Sequence, residues 1–132
     1  MISTSSWQAS GLVALGGATG AVLRFQMGRM VLALTGPNAA FPWGTFSINV
    51  AGSLAMGLLA GWLARHGGGE AWRLLLAVGV LGGFTTFSSF SLETALLIER
   101  GLMGLAATYA LGSLVAGVGG LFLGLFVMRA AT

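Results

Sequence analysis

Residues 82–91 form a polar stretch inside a segment that is otherwise apolar. They read Gly-Gly-Phe-Thr-Thr-Phe-Ser-Ser-Phe-Ser, with apolar residues before them from Leu74 and after them from Ala95. Hydroxyl-rich or irregular backbone near the middle of a membrane is stable only when it is buried in protein or lines a wet cavity. Paired glycines loosen a helix, and hydroxyls can satisfy the freed backbone groups or face a passing solute. The stretch therefore predicts a break in a membrane-spanning helix and a functional site beside it.

The composition of the chain is that of an integral membrane protein. The chain has 132 residues, of which 56% are hydrophobic and only 7% are charged, and its mean hydropathy is +0.93. Four spans of about 20 residues would use about 80 positions and leave no room for a soluble domain. We therefore predict an all-α integral membrane protein, embedded in the lipid bilayer as one domain over residues 1–132.

The few charges exclude other classes of protein. Six Arg stand against three Glu, which is too sparse a basic surface for nucleic acid. Cysteine is absent, so disulfides and thiolate metal sites are excluded. An enzyme is not expected, because the single His66 falls in a loop and no set of nucleophile, base and orienting group can be assembled.

Four spans are predicted, and glycine pairs recur in each of them. The predicted spans cover residues 11–34, 43–64, 71–98 and 102–128. Small residues four positions apart let helix backbones approach closely, which matters because lipid provides no hydrophobic drive for helix association. The pairs are Gly16 and Gly20, Gly57 and Gly61, Gly79 and Gly83, and Gly120 and Gly124.

Two polar residues fall inside the first two predicted spans. Arg24 is too deep to reach the interface easily, so it either faces a protein cavity or partner or, if the first span ends early, acts as an interfacial anchor. The amide of Asn49 can donate hydrogen bonds to an anion or tie helices together, and the sequence leaves both open.

The third and fourth spans carry the remaining candidates. Phe84, Phe87 and Phe90 recur every three residues, which predicts one shared helix face, either as ordinary core or as ring edges that meet an anion. Tyr109 and Ser113 share a face of the fourth span. Glu93 lies one turn beyond Phe90 and either lines a vestibule or pairs with Arg.

Taken together, these positions resemble the fluoride channel family known as Fluc or CrcB. The resemblance covers essentially the whole chain, and the motif in the third span is highly specific. The matching positions are 16–21 and Arg24, then Gly44, Thr45, Asn49 and Gly52, then 82–93, and lastly Tyr109 and Ser113.

The resemblance implies an antiparallel, dual-topology homodimer with two fluoride pores. By this resemblance Phe87 and Phe90 would be the rings that line each pore, Arg24 a vestibule cation and Glu93 a vestibule carboxylate. It further implies passive fluoride export, and fluoride resistance, at a bacterial inner (plasma) membrane that the chain crosses several times. The polar groups in or near the pore would be Asn49, Ser88, Ser89, Tyr109 and Ser113.

The resemblance also implies a structural sodium ion at the dimer interface. Its ligands would be the backbone carbonyls of Gly82 and Thr85 from each subunit. A hard cation suits oxygen ligands, and an unwound helix exposes carbonyls at mid-membrane.

Two other classes of membrane protein compete with the channel. A small four-helix proton-coupled drug exporter needs a carboxylate in its first helix, whereas the only carboxylate within any predicted span is Glu93 in the third. A non-transporting assembly subunit would give the break in the third span no special role.

The arginine count independently favours dual topology. With four spans, one side of the membrane carries three Arg and the other carries two or three, so the positive-inside rule barely selects an orientation. The first side has Arg65, Arg73 and Arg129, and the second has Arg29 and Arg100, with Arg24 near the boundary.

Overall fold

The computed structural model describes residues 5–131, and every element in them is helical. A stretch of extended backbone separates α3 from α4, and these two helices together form the third span, Glu70–Glu99. Most of α3 is π-helical, over Arg73–Leu81. In chain order the helices are α1 (Ser6–Thr35), α2 (Trp43–His66), α3 (residues 70–84), α4 (Phe87–Glu99) and α5 (Met103–Ala130).

Within residues 5–131, three helical segments are long and apolar enough to cross a membrane. They are Trp43–His66, Glu70–Glu99 and Met103–Ala130, which correspond to the second, third and fourth predicted spans. The 30-residue α1 has the length of a span but falls below that hydropathy, because Arg24, Gln26 and Arg29 lie in its C-terminal half.

The first helix is longer than predicted at its start. Ser5 caps it in a capping box, in which the Gln8 backbone N–H donates to the Ser5 hydroxyl and the Gln8 side chain accepts from the Ser5 N–H. The helix then continues to Thr35, so Arg24 lies about 16 Å from its end by axial rise. The helix itself therefore does not end near Met30.

The first glycine seam joins α1 to α3. A Cβ placed on Gly16 would lie 2.9 Å from the Gly79 Cα, and one placed on Gly20 would lie 2.8 Å from the Phe84 nitrogen. Real side chains do not fit at such distances, so only glycine permits the contact. Because both positions rise together along the two helices, α1 and α3 run parallel.

A second glycine seam joins α2 to α5. A Cβ on Gly61 would lie 2.6 Å from the Met128 Cβ, and one on Gly124 would lie 2.6 Å from the Leu58 nitrogen. These helices are also parallel, and at their C-terminal ends Arg65 donates to the carbonyls of Met128 at 2.7 Å and Ala131 at 3.1 Å. The predicted role of the glycine pairs in close packing is confirmed at both seams.

Large apolar side chains mostly face outward, as expected for a surface in contact with lipid. Leu34, Val115 and Phe126 are among the exposed ones, whereas the buried core between α4 and α5 is small and contains Leu97, Ala106 and Tyr109. Each Trp lies near a helix end and is exposed, which is typical of an aromatic belt; they are Trp7, Trp43, Trp62 and Trp72.

Candidate ion site at the interruption of the third span

The third span is interrupted at Thr85 and Thr86. Both residues have extended backbone, with φ and ψ of −79° and 159° at Thr85 and −149° and 119° at Thr86. The glycines Gly82 and Gly83, which the sequence marks as the weak point, are themselves helical. Gly83 stays in the helix because it packs against the backbone of Gly17 in α1.

Asn49 of α2 bonds both backbone groups of Thr86. Its Nδ2 donates to the Thr86 carbonyl at 2.9 Å, and its Oδ1 accepts from the Thr86 N–H at 2.8 Å. The side-chain amide thus pairs with Thr86 as a neighbouring peptide group would. Of the two possibilities left open by the sequence, Asn49 ties helices together, while its second amide hydrogen is not used in these bonds.

Arg24 of α1 contacts the other extended residue. Its Nη1 donates to the Thr85 carbonyl at 3.2 Å, across 61 positions of sequence. The guanidinium therefore contacts protein, at the break in the third span. It lines neither of the two cavities described below.

Thr86 is also the N-cap of α4. Its hydroxyl accepts from the Ser89 backbone N–H at 3.2 Å and lies 3.2 Å from the Ser88 and Ser89 hydroxyls. An N-cap of this kind satisfies one of the free amides in the first helical turn. Ser88 and Ser89 are thus bonded to the cap, and neither lines the cavity beside the break.

A cavity of about 390 Å³ opens beside the break. Residues from α2, α4 and α5 form its wall together with the two extended threonines. The wall is mostly apolar, with a few polar groups among the side chains. Its lining includes Asn49, Thr86, Phe87, Phe90, Ser113 and Gly117.

Two phenyl rings line this cavity. Phe87 and Phe90 have ring centroids 5.7 Å apart, and Phe87 is 78% exposed in the single chain. Phe84 does not join them, so the predicted stripe of three rings on one face is wrong. The extended residues separate Phe84 from α4, and its ring instead lies near Gly52 of α2.

Ser113 provides the one buried side-chain oxygen or nitrogen in residues 5–131 that lacks a hydrogen-bond partner. Other helical hydroxyls here, such as those of Thr94 and Thr108, donate to the carbonyl four residues earlier. The Ser113 hydroxyl makes no such bond; its oxygen is buried, although the residue is part of the cavity lining. A buried hydroxyl without a partner is unusual in a folded protein, so this one marks Ser113 as a candidate site residue.

A second cavity, of about 330 Å³, lies between the end of α1 and the start of α2 and includes Glu93 in its wall. The Glu93 carboxylate accepts from the Thr45 hydroxyl at one oxygen and from the Tyr109 hydroxyl at the other, each at 2.7 Å. Glu93 thus lines a cavity. Its carboxylate is bonded to two hydroxyls and not to an Arg, which was the other possibility left open by the sequence.

Tyr109 is fully buried behind this carboxylate. Its ring meets Phe41 edge-on at 5.5 Å and lies 5.1 Å from the Phe90 ring. The Tyr109 hydroxyl is therefore bonded to Glu93 and its ring lies beside Phe90, while Tyr109 itself lines neither cavity.

The sequence predictions did not include Thr45 and Thr86 among the site residues. Thr45 lies one helical turn before Asn49, so its position on the same face of α2 was a usable signal. Thr86 lies in the polar stretch that marks the break, but its role as N-cap depends on where the helix stops, which the sequence did not give.

The comparisons with known proteins agree with one another. The family profile described as "CrcB-like protein, Camphor Resistance (CrcB)" matches residues 11–125. The chain belongs to the CrcB family. A CrcB relative named "Fluoride-specific ion channel FluC" from Novosphingobium aromaticivorans is 72% identical over 121 residues, which cover 92% of this chain and 96% of that one.

Two further CrcB relatives carry the same printed name. The protein from Caulobacter sp. (strain K31) is 53% identical over 120 residues, covering 89% of this chain and 92% of its own. The protein from Phenylobacterium zucineum is 54% identical over 124 residues, covering 92% and 96%. The predicted resemblance to the fluoride channel family is thus confirmed, and these relatives are named as ion channels, which are not enzymes.

Proposed function

We propose that this CrcB protein is a passive, fluoride-selective channel that lets fluoride leave a bacterial cytoplasm across the inner membrane. The observation that carries the proposal is the cavity at the break, where the unpartnered Ser113 hydroxyl lies in one wall with the rings of Phe87 and Phe90. The choice of fluoride as the ion rests on the names of the relatives.

The chemistry of this wall suits fluoride. Fluoride is small and strongly hydrated, so a path must offer hydrogen-bond donors in place of lost water. Conduction also requires release, and the positive edge of a phenyl ring attracts an anion less strongly than a guanidinium does. A wall with few donors and two rings therefore favours passage over tight binding.

The pathway residues keep the roles that the resemblance gives them, as part of this proposal. Phe87, Phe90 and Ser113 line the proposed pore directly, with Asn49 and the cap hydroxyls of Ser88 and Ser89 at its break. Glu93 and Tyr109 form the proposed vestibule end, since Glu93 lines the second cavity. Arg24 remains the proposed vestibule cation, although its guanidinium here bonds the Thr85 carbonyl.

We further propose a dual-topology homodimer with two pores. The nearly even arginine count across the predicted spans supports insertion in both orientations.

Single cysteines test this topology, since the chain has none of its own. Asn38→Cys and Gly69→Cys, in separate variants, lie in turns on opposite sides of the four helices. Labelling of intact cells with an impermeant thiol reagent should reach about half of each population. Complete labelling of one variant and none of the other would show a single orientation and overturn the antiparallel dimer.

A structural sodium ion at the interface is also proposed, held by the carbonyls of Gly82 and Thr85. Of the two carbonyls, that of Gly82 fits this ion better than that of Thr85. In an unbroken helix the Thr86 N–H would bond the Gly82 carbonyl, but it donates to Asn49, which leaves that carbonyl without its helical donor. Sodium would supply a fixed positive charge that joins the two breaks. The Thr85 carbonyl already accepts from Arg24, whose charge opposes a second cation.

Ion flux from liposomes tests the channel itself. Purified protein in liposomes loaded with fluoride and chloride should release fluoride rapidly under an imposed potential and retain chloride, with no proton gradient. Fluoride that leaves only when a proton or sodium gradient is supplied would instead indicate a coupled transporter. Retention of both anions would indicate a non-transporting subunit.

A further inference from the structure

The side chain of Asn49 is bonded to the backbone of Thr86, and both residues line the candidate pore. Both ends of its amide are bonded to that one residue, at 2.9 Å from Nδ2 and 2.8 Å from Oδ1. Thr86 is extended and only 9% exposed, so these bonds satisfy a largely buried peptide group. A buried peptide group that loses its partners incurs a desolvation cost, which makes the Thr86 conformation dependent on Asn49.

The direction of α4 depends in turn on Thr86. Thr86 is the N-cap, and its hydroxyl accepts the Ser89 N–H. The first turn of α4 carries both rings of the proposed pore, Phe87 and Phe90. A change in the cap conformation would therefore move the rings together.

A second contact of the same kind supports this view of the break. Arg24 holds the Thr85 carbonyl from α1, on the other side of the span. The two extended residues are thus bonded by side chains from two different helices. The interruption is constructed by these contacts within one chain, and Asn49 provides two of the three.

We propose that Asn49 is a positioning residue, which acts on fluoride through the Thr86 backbone and not as a direct donor to the ion. The inference rests on the proposed channel function. Its amide oxygen and one amide hydrogen are used by Thr86, so removal of Asn49 has two separable consequences: loss of the cap conformation and loss of the remaining N–H. The first consequence decides the flux.

An amide-to-ester replacement at position 86 separates the two consequences. Incorporation of the α-hydroxy analogue of threonine at Thr86 removes its N–H and leaves Asn49 with every donor intact. It also makes the Thr85 carbonyl a weaker, ester acceptor for Arg24, so the part of the flux loss that Asn49→Leu abolishes in the cycle below is the part assigned to Asn49. We expect fluoride flux from liposomes to fall at least fivefold. The same replacement at Thr108, an exposed residue within α5, is the matched control and should keep flux within twofold of the wild type.

A double-mutant cycle then measures the coupling. Asn49→Leu alone should lower flux at least tenfold, and adding the Thr86 ester to it should lower flux less than twofold further. A Thr86 ester that behaves like the Thr108 control, or two effects that multiply, would overturn the positioning role and make Asn49 a direct donor.

Hydrogen exchange provides a readout that does not depend on fluoride. The Thr86 amide should exchange at least tenfold faster in Asn49→Leu than in the wild type, while amides in the middle of α5 keep their rates. Equal exchange at Thr86 in the two proteins would overturn the inference. If wild-type liposomes release no fluoride, the proposed function fails, and the exchange result then decides only whether Asn49 holds the Thr86 backbone. If Asn49→Leu does not fold, the Thr86 ester alone decides it.

Discussion

The two halves of the third span are held in place by different means. Before the break, α3 meets α1 through glycine backbone, at contacts such as that between Gly16 and Gly79. After the break, α4 is connected to its neighbours by polar side chains: Asn49 bonds the Thr86 backbone, and Glu93 accepts from Thr45. The first half is positioned by close contact between glycine backbones, and the second half by hydrogen bonds from particular side chains.

This difference separates stability from function. A glycine seam gains packing over many atoms, and any added atom collides with backbone that cannot move. The hydrogen bonds around the break are few, and each contributes about 1 kcal/mol net. We therefore expect changes in the seam to affect folding and changes after the break to affect ion flux.

The largest effect should follow Gly20→Ala. A Cβ at Gly20 meets the Val80 carbonyl and lies 2.8 Å from the Phe84 nitrogen. Overpacking against backbone should cost about 3 kcal/mol or more, with a large drop in the thermal midpoint of purified protein. Gly17→Ala is the matched control, because a Cβ there meets nothing within 4 Å, and it should be neutral or slightly stabilising. Equal midpoints for the two variants would contradict a rigid seam.

The next largest effect should follow Phe87→Ile or Phe90→Ile. Either change keeps much of the bulk in the cavity wall and removes the ring edge, so fluoride flux should fall at least tenfold. The thermal midpoint should stay near that of the wild type, since the seam is untouched. Flux close to wild type in both variants would assign these rings to ordinary packing.

A smaller effect is expected from removing sodium, because the proposed ligands are backbone carbonyls. Exhaustive replacement of sodium by a large organic cation should lower dimer stability, as expected when a ligand of the folded state is withdrawn. Thr85→Ser keeps the carbonyl and should behave as the wild type. A dimer of unchanged stability after verified sodium removal would rule out the structural ion.

The smallest effect should follow Ser113→Ala. The Ser113 hydroxyl has no partner in residues 5–131, so its removal leaves no other group unsatisfied and should not destabilise the protein. Flux should fall several-fold, because one donor is lost from the cavity wall. Ser10→Ala in the exposed first turns of α1 controls for loss of a hydroxyl elsewhere. Unchanged flux in Ser113→Ala would remove this residue from the pathway.

The seam was easier to predict from the sequence than the site. Glycine pairs four residues apart can be recognised in the sequence of a single helix. All four pairs lie at or beside close contacts between helices. The position of the break was harder to predict. Gly82 and Gly83 have the weakest helix propensity in the segment, yet they remain helical because Gly83 packs on α1. Propensity is local, whereas the interruption depends on what lies opposite.

The partners of Arg24 and Asn49 show the same limit. Their polar character inside a span marked both as important, but their bonds to Thr85 and Thr86 join positions 61 and 37 residues apart. Such pairs follow from the approach of α1 and α2 to the third span, which depends on the seams. The error at Phe84 has the same origin, since a stripe of three rings assumed one continuous helix.

The bonds around Thr85 and Thr86 also bear on biosynthesis. All three are made within a single chain, so a newly inserted protein does not present these peptide groups bare to the acyl chains. Such a chain has no need to meet its partner during translation. Under the proposed dual topology, copies inserted in opposite orientations would be released separately into the bilayer and would find each other by lateral diffusion. The rate of pore formation would then depend on expression level, through the product of the two surface densities.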